Sequence, residues 1–171
     1  GNRSDKFSEE LETYVEIPSD KVSFDERPWM KSAEITDTLI EALKSHKYEF
    51  LRVNFPNGDM VGHTGSLPAT ICSMEALDLA LARLYKVCKD EGYIMLVTAD
   101  HGNADEMLEK NKKGKIEVRT AHSLNKVPFI IKSSSKVEGQ DLIKLEVETE
   151  VNGVVKNVDI NVNLQKNRKS K

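Results

Sequence analysis

"NFPNGDMVGHTG", Asn54 to Gly65, sets an aspartate and a histidine four residues apart among glycines. It continues an apolar run, "FLRVNF" (50–55), that reads as a short strand over Glu49–Asn54. A second glycine-bearing loop, "VTADHGNAD" (97–105), leaves another apolar run, "YIMLVT" (93–98), of buried-strand type. In open α/β sheets, ligands gather beyond the carboxyl ends of strands, and both loops begin where a strand is expected to end. That shared position is the first argument for a site.

Working outward, Ser32 is placed to cap a helix running to about Ser45, with Ile35, Leu39, Ile40 and Leu43 on one face. After Pro68, Ile71, Met74, Leu77, Leu81, Leu84 and Cys88 recur at three- and four-residue steps, the pattern of an amphipathic helix of about five turns. Gly92 is well placed to end it. "VPFIIK" (127–132) is a further buried-type strand. Helix, strand, helix, strand predicts an α/β domain with a mainly parallel sheet flanked by helices. Residues 1–31 read as irregular, broken by Pro18 and Pro28.

The last segment differs. Leu145, Val147, Thr149 and Val151 alternate with glutamates, and Val158, Ile160, Val162 and Leu164 alternate with polar residues. Asn152-Gly153 between them is a favoured tight-turn pair, so an antiparallel hairpin is expected over 143–164. The basic "KNRKSK" that follows is expected to be disordered, a solvated end. The organisation expected is thus a main domain over 1–132 and a divergent tail over 133–171.

A net charge of −3 argues against nucleic acid or an anionic membrane as the main partner. No apolar run approaches the roughly 20 residues a membrane span needs, and the opening residues show no signal-peptide pattern. The chain opens on "GNRSDKF", without an initiator methionine, and is expected to start inside a longer product. Cys72 and Cys88 fall on one expected helix, roughly 24 Å apart at about 1.5 Å per residue, beyond disulfide reach. They read as free thiols, and a reducing, cytoplasmic compartment follows as the expectation.

Of four histidines, His46 in "KSHKY" reads as a surface residue at a helix end. The other three lie in loops: His63 near Asp59, His101 beside Asp100, and His122 in "TAHS". Two carboxylates and three imidazoles form an oxygen and nitrogen ligand set suited to Mn, Zn or Fe, not a thiolate-closed structural zinc site. If the first turn of the opening stretch is helical, Asp59 and His63 share one face; if it is extended, the glycines must aim them.

Three ordered motifs go further. "NGDMVGHTG", "VTADHGNAD" and "TAHSLNKVPFII" closely resemble the metal-binding segments of the cofactor-independent (2,3-bisphosphoglycerate-independent) phosphoglycerate mutase family. "IPSDKVSFDERPWMKSAEITDTLIEAL" resembles the segment preceding them. The similarity covers about residues 1 to 132. It implies an alkaline-phosphatase-like layered domain, present in part, and two divalent metal ions, with manganese expected and cobalt or zinc as alternatives. Asp59, His63 and His122 would hold one ion, and Asp100 and His101 would contribute to the second. Lys21 would help hold the substrate phosphate. Family enzymes interconvert 2- and 3-phosphoglycerate in glycolysis and gluconeogenesis through a phosphoserine intermediate.

The departures matter equally. The family's nucleophilic serine, a further aspartate ligand and a substrate-gripping second domain have no counterpart in these residues. Neither serine nearby is a credible substitute: Ser66 follows the metal loop but has no strand-to-helix elbow motif, and Ser123 adjoins a ligand. The usual apolar helical ending is missing after about Lys132. The expectation is a mutase fragment, inactive alone, with at most one well-held metal site. The alternatives are a non-catalytic metal-binding or partner-binding remnant, or another phosphohydrolase or phosphomutase of the superfamily.

Overall fold

The computed structural model describes residues 6, 8–119, 121–133, 143–151 and 154–162. The chain divides into two compact units, Gly1–Ser134 and Ser135–Lys171.

In the first unit, helix α1 spans Ser32–Ser45. Ser32 lies inside it rather than capping it, because its hydroxyl donates back to the Trp29 carbonyl (2.9 Å) instead of accepting from a downstream N–H. A short helix, α2 (Asn57–Gly62), carries the opening stretch. Helix α3 spans Leu67–Glu91. Ser66 caps it by accepting from Ala69 N–H, and Gly92 closes it in the left-handed conformation (φ 80°).

The core forms where α1 crosses the second half of α3. Leu43, Leu84 and Cys88 are buried, with Leu39, Ile40, Leu51, Phe55, Val87, Tyr93 and Met95 packed around them. Arg83 pairs with Asp37 across the same two helices, and His46 Nε2 meets Glu91 Oε2 at 2.9 Å at their ends. The stripe expected along α3 is therefore only half used. Leu84 and Cys88 are covered, whereas Ile71 and Met74 in the first half remain exposed.

The sheet departs from expectation. Strand β1 (Met95–Thr98) pairs antiparallel with β4 (Phe129–Lys132), from Met95↔Lys132 to Thr98↔Phe129. Residues 49–54 belong to no strand, so the expected parallel neighbour of β1 is not formed among the described residues. For β4 the physical reason lies in the connection: parallel pairing needs a crossover, usually a helix, and no helix separates β1 from β4. Neither run is a fully buried strand, since Ile94, Leu96, Phe129 and Ile130 are all exposed. Between them a small hairpin, β2 (Leu108–Lys110) with β3 (Ile116–Val118), is an element the sequence reading does not contain.

In the second unit, β5 (Ile143–Val151) and β6 (Val154–Val162) form an antiparallel hairpin in register from Val151↔Val154 to Ile143↔Val162. The turn expected at Asn152-Gly153 and the basic end expected to be disordered lie outside the described residues. No helix among the described residues is long and apolar enough to cross a membrane.

Candidate metal centre

The first turn of the opening stretch is helical. His63 follows α2 directly, and its N–H donates to the Asp59 carbonyl at 3.0 Å. The four-residue spacing therefore puts both side chains on one face, with His63 Nε2 3.2 Å from Asp59 Oδ1. The third member arrives from 59 residues along: His122 Nε2 lies 3.1 Å from the same oxygen and 3.3 Å from His63 Nε2. Asp59, His63 and His122 thus converge, with their candidate ligand atoms all within 4.8 Å of one another.

Local contacts explain why the chain delivers His122 there. Gly102 and Ser123 form an isolated antiparallel bridge, with Ser123 N–H donating to the Gly102 carbonyl (2.9 Å). A Cβ at Gly102 would collide with Ser123 Oγ, so only glycine permits this approach. Ser123 is buried, and its hydroxyl donates to Asp105 Oδ2 (2.8 Å). Asn125 donates to that same oxygen (2.7 Å). These two bonds, Asn125 first, hold the Asp105 carboxyl below its ordinary range. Arg119, just after the hairpin, donates to the Ala121 carbonyl (3.2 Å) and pairs with Glu106 (3.1 Å).

His101 joins through its ring, stacked on His122 with centroids 3.5 Å apart and planes 7° from parallel. Its Nδ1 is buried without a hydrogen-bond partner, 4.0 Å from Asp59 Oδ1. Asp100 stays outside the triad: its side chain is 85% exposed, and its carboxylate accepts from the His101 N–H (3.1 Å) and lies 3.6 Å from His101 Nε2. Lys21 is exposed and takes no part in the contacts of the cluster.

The donor set fits a divalent ion. Bonds of about 2.0–2.2 Å to N and O place neighbouring ligand atoms of a tetrahedral or octahedral ion roughly 3.0–3.4 Å apart. The three separations between Asp59 Oδ1, His63 Nε2 and His122 Nε2, 3.1 to 3.3 Å, fall in that window. The buried His101 Nδ1, without a hydrogen-bond partner and 4.0 Å from the Asp59 carboxylate, also fits a site that receives a cation.

The sequence model of the Metalloenzyme superfamily matches residues 1–161. The chain belongs to that superfamily. It is 52% identical over 139 residues to the 2,3-bisphosphoglycerate-independent phosphoglycerate mutase of Trypanosoma brucei brucei, covering 77% of this chain and 25% of that protein. It is 44% identical over 148 residues to phosphoglycerate mutase 1 of that type from Arabidopsis thaliana, covering 81% and 27%. Among solved structures, Leishmania mexicana phosphoglycerate mutase at low cobalt concentration matches with a TM-score of 0.72 and 49% identity, over 78% of this chain and 26% of that one. The chain spans about a quarter of the length of the relatives it matches.

Within the superfamily frame, the two serines near the centre have structural places: Ser66 caps α3, and Ser123 is tied to Asp105. Asn103 and Asp105, within "ADHGNAD", have no role assigned by the sequence pattern alone. Asn103 donates to Asp59 Oδ1 (3.0 Å), and Asp105 anchors the 123–125 segment. Their signal was faint, because Asn and Asp in a glycine-containing loop read first as turn formers.

Proposed function

We propose that this chain is the metal-holding part of a 2,3-bisphosphoglycerate-independent phosphoglycerate mutase acting on 2- and 3-phosphoglycerate in the cytoplasm. The observation that carries the reading is the convergence of Asp59, His63 and His122 on one point, in a chain 44–52% identical to such mutases over most of its length. Asp59 brings the negative charge that retains a divalent ion, manganese in this reading, and His63 and His122 bring directional nitrogen. His101 covers one face of His122. Bound there, the ion would supply Lewis-acid charge to phosphoryl oxygens. Asp100 and His101 are assigned to a second ion and Lys21 to the substrate phosphate. Residues 1–132 form the metal-binding portion and 133–171 a tail. The exposed Ile94 and Leu96 would flank a larger, mainly parallel sheet in the intact enzyme.

Two measurements test this. The chain should bind Mn(II) with a stoichiometry nearer one than two and show no mutase turnover by itself; turnover, or two tightly held ions, would overturn the division of labour. A chimera in which this chain replaces the matching quarter of the Trypanosoma enzyme should interconvert the phosphoglycerates and lose activity with His122→Ala. A folded, metal-loaded chimera without turnover would favour the non-catalytic remnant.

A further inference from the structure

Asn103 is 7% exposed, and its side-chain amide donates to Asp59 Oδ1 at 3.0 Å. The accepting oxygen is the one that His63 and His122 face at 3.2 and 3.1 Å. The Asp59 side chain itself is about a third exposed, so burial does not fix its carboxylate plane. On the other side of Asn103 stands Gly62, the last residue of α2, where an added Cβ would collide with Asn103 Oδ1. Gly62 therefore lets the 101–105 loop lie against the helix that carries Asp59.

We propose that Asn103 is a positioning residue that fixes the Asp59 carboxylate with a single oxygen, Oδ1, turned toward the ion, and so favours a small first-row divalent cation over calcium; this rests on the metal-holding role of Asp59, His63 and His122. Two effects of the amide oppose each other. Its N–H draws charge from Oδ1, which weakens that oxygen as a ligand. It also removes the rotation a partly exposed carboxylate would otherwise lose on binding. Losing a hydrogen-bond partner of a metal ligand generally weakens affinity, by about 10- to 100-fold, so orientation outweighs charge withdrawal. Calcium takes six to eight oxygens and accepts a carboxylate through both of its oxygens, so a freed carboxylate serves it better than a fixed one. An aspartate at 103 would add a second negative charge beside Asp59; asparagine supplies the hydrogen bond without it.

The test is a comparison of Mn(II) and Ca(II) dissociation constants, by titration calorimetry on folded protein, for the parent chain, Asn103→Ala, Gly62→Ala and the double variant. Asn103→Ala should weaken Mn(II) by about 10- to 100-fold while Ca(II) changes by less than about threefold. Gly62→Ala should weaken Mn(II) in the same direction by displacing the Asn103 side chain, and should add nothing further in the Asn103→Ala background. The Co(II) absorption spectrum of Asn103→Ala should change in shape as well as in midpoint. A purely structural Asn103 would lower stability and weaken both ions alike, and that result overturns the proposal. So does Mn(II) affinity within twofold of the parent. If the parent itself binds no Mn(II), the metal-holding role falls and the proposal with it; a parent that binds and a variant that binds equally well sinks the proposal alone.

Discussion

The crossing of α1 with the second half of α3 and the loops around Asp59 are built from different materials. The helix crossing gathers Leu43, Leu84 and Cys88 with seven partly buried apolar neighbours. The loops are joined by directional polar contacts: Asn103 to Asp59, Ser123 and Asn125 to Asp105, and the Gly102–Ser123 bridge. Apolar burial is non-directional and tolerates small shifts, whereas a ligand set tolerates almost none. Stability should therefore reside in the first region and binding in the second.

The largest effect that could break this division is in the core. Leu84 is 2% exposed, and Leu84→Ala should cost about 2–5 kcal/mol in urea unfolding. Mn(II) affinity per folded molecule should not change. If affinity falls in step with stability, helices and loops are one cooperative unit and the distinction fails. His122→Ala should do the converse. Its side chain is 44% exposed, so unfolding should shift by no more than about 0.5 kcal/mol. The Mn(II) dissociation constant should rise at least about 100-fold, equivalent to roughly 2.7 kcal/mol.

The same division explains what could be read in the sequence. The second half of α3 was legible because Leu84 and Cys88 repeat at helical spacing and are buried where that spacing puts them. The α2 turn was one of two open readings of "NGDMVGH", and the Asp59–His63 spacing fits the helical one. Residues 49–54 have the composition of a strand, but a strand needs a partner, and sequence alternation does not supply one. The antiparallel return of β4 onto β1 depends on a 30-residue excursion with no helix in it, a tertiary fact that local periodicity does not encode. At the site, the histidines announced themselves by rarity. Asn103 and Asp105 act through the geometry of a loop whose residues also suit an ordinary turn, and Asp100, equal to its neighbours in the sequence, stays 85% exposed.

A smaller effect sharpens the polar side. Ser123→Ala removes the buried hydroxyl that donates to Asp105 and should cost about 1 kcal/mol in thermal or urea unfolding. Mn(II) affinity should fall as well, because the lost bond to Asp105 holds the segment that carries the adjoining His122. Loss of stability with unchanged affinity would show that the bridge alone seats His122.

The smallest effect is a pH dependence, and it isolates the Asp105 contacts from everything else that titrates. Asn125 and Ser123 donate to the Asp105 carboxylate and lower its pKa below the ordinary 3.8. A carboxyl that is more acidic folded than unfolded contributes stability that is full above the unfolded value and lost as pH falls through the folded one. Acid unfolding of the parent mixes this with every other carboxylate, so the informative quantity is the difference between the parent and Asn125→Ala. That difference should be constant from pH 7 to about 5 and shrink as the pH drops below about 4, because protonation of Asp105 removes the charge that Asn125 serves. Urea midpoints measured across this range would show it. A difference that stays the same down to pH 2.5 would mean that Asn125 supports the loop by packing, and that the polar contacts around Asp105 are passengers of the fold rather than its fasteners.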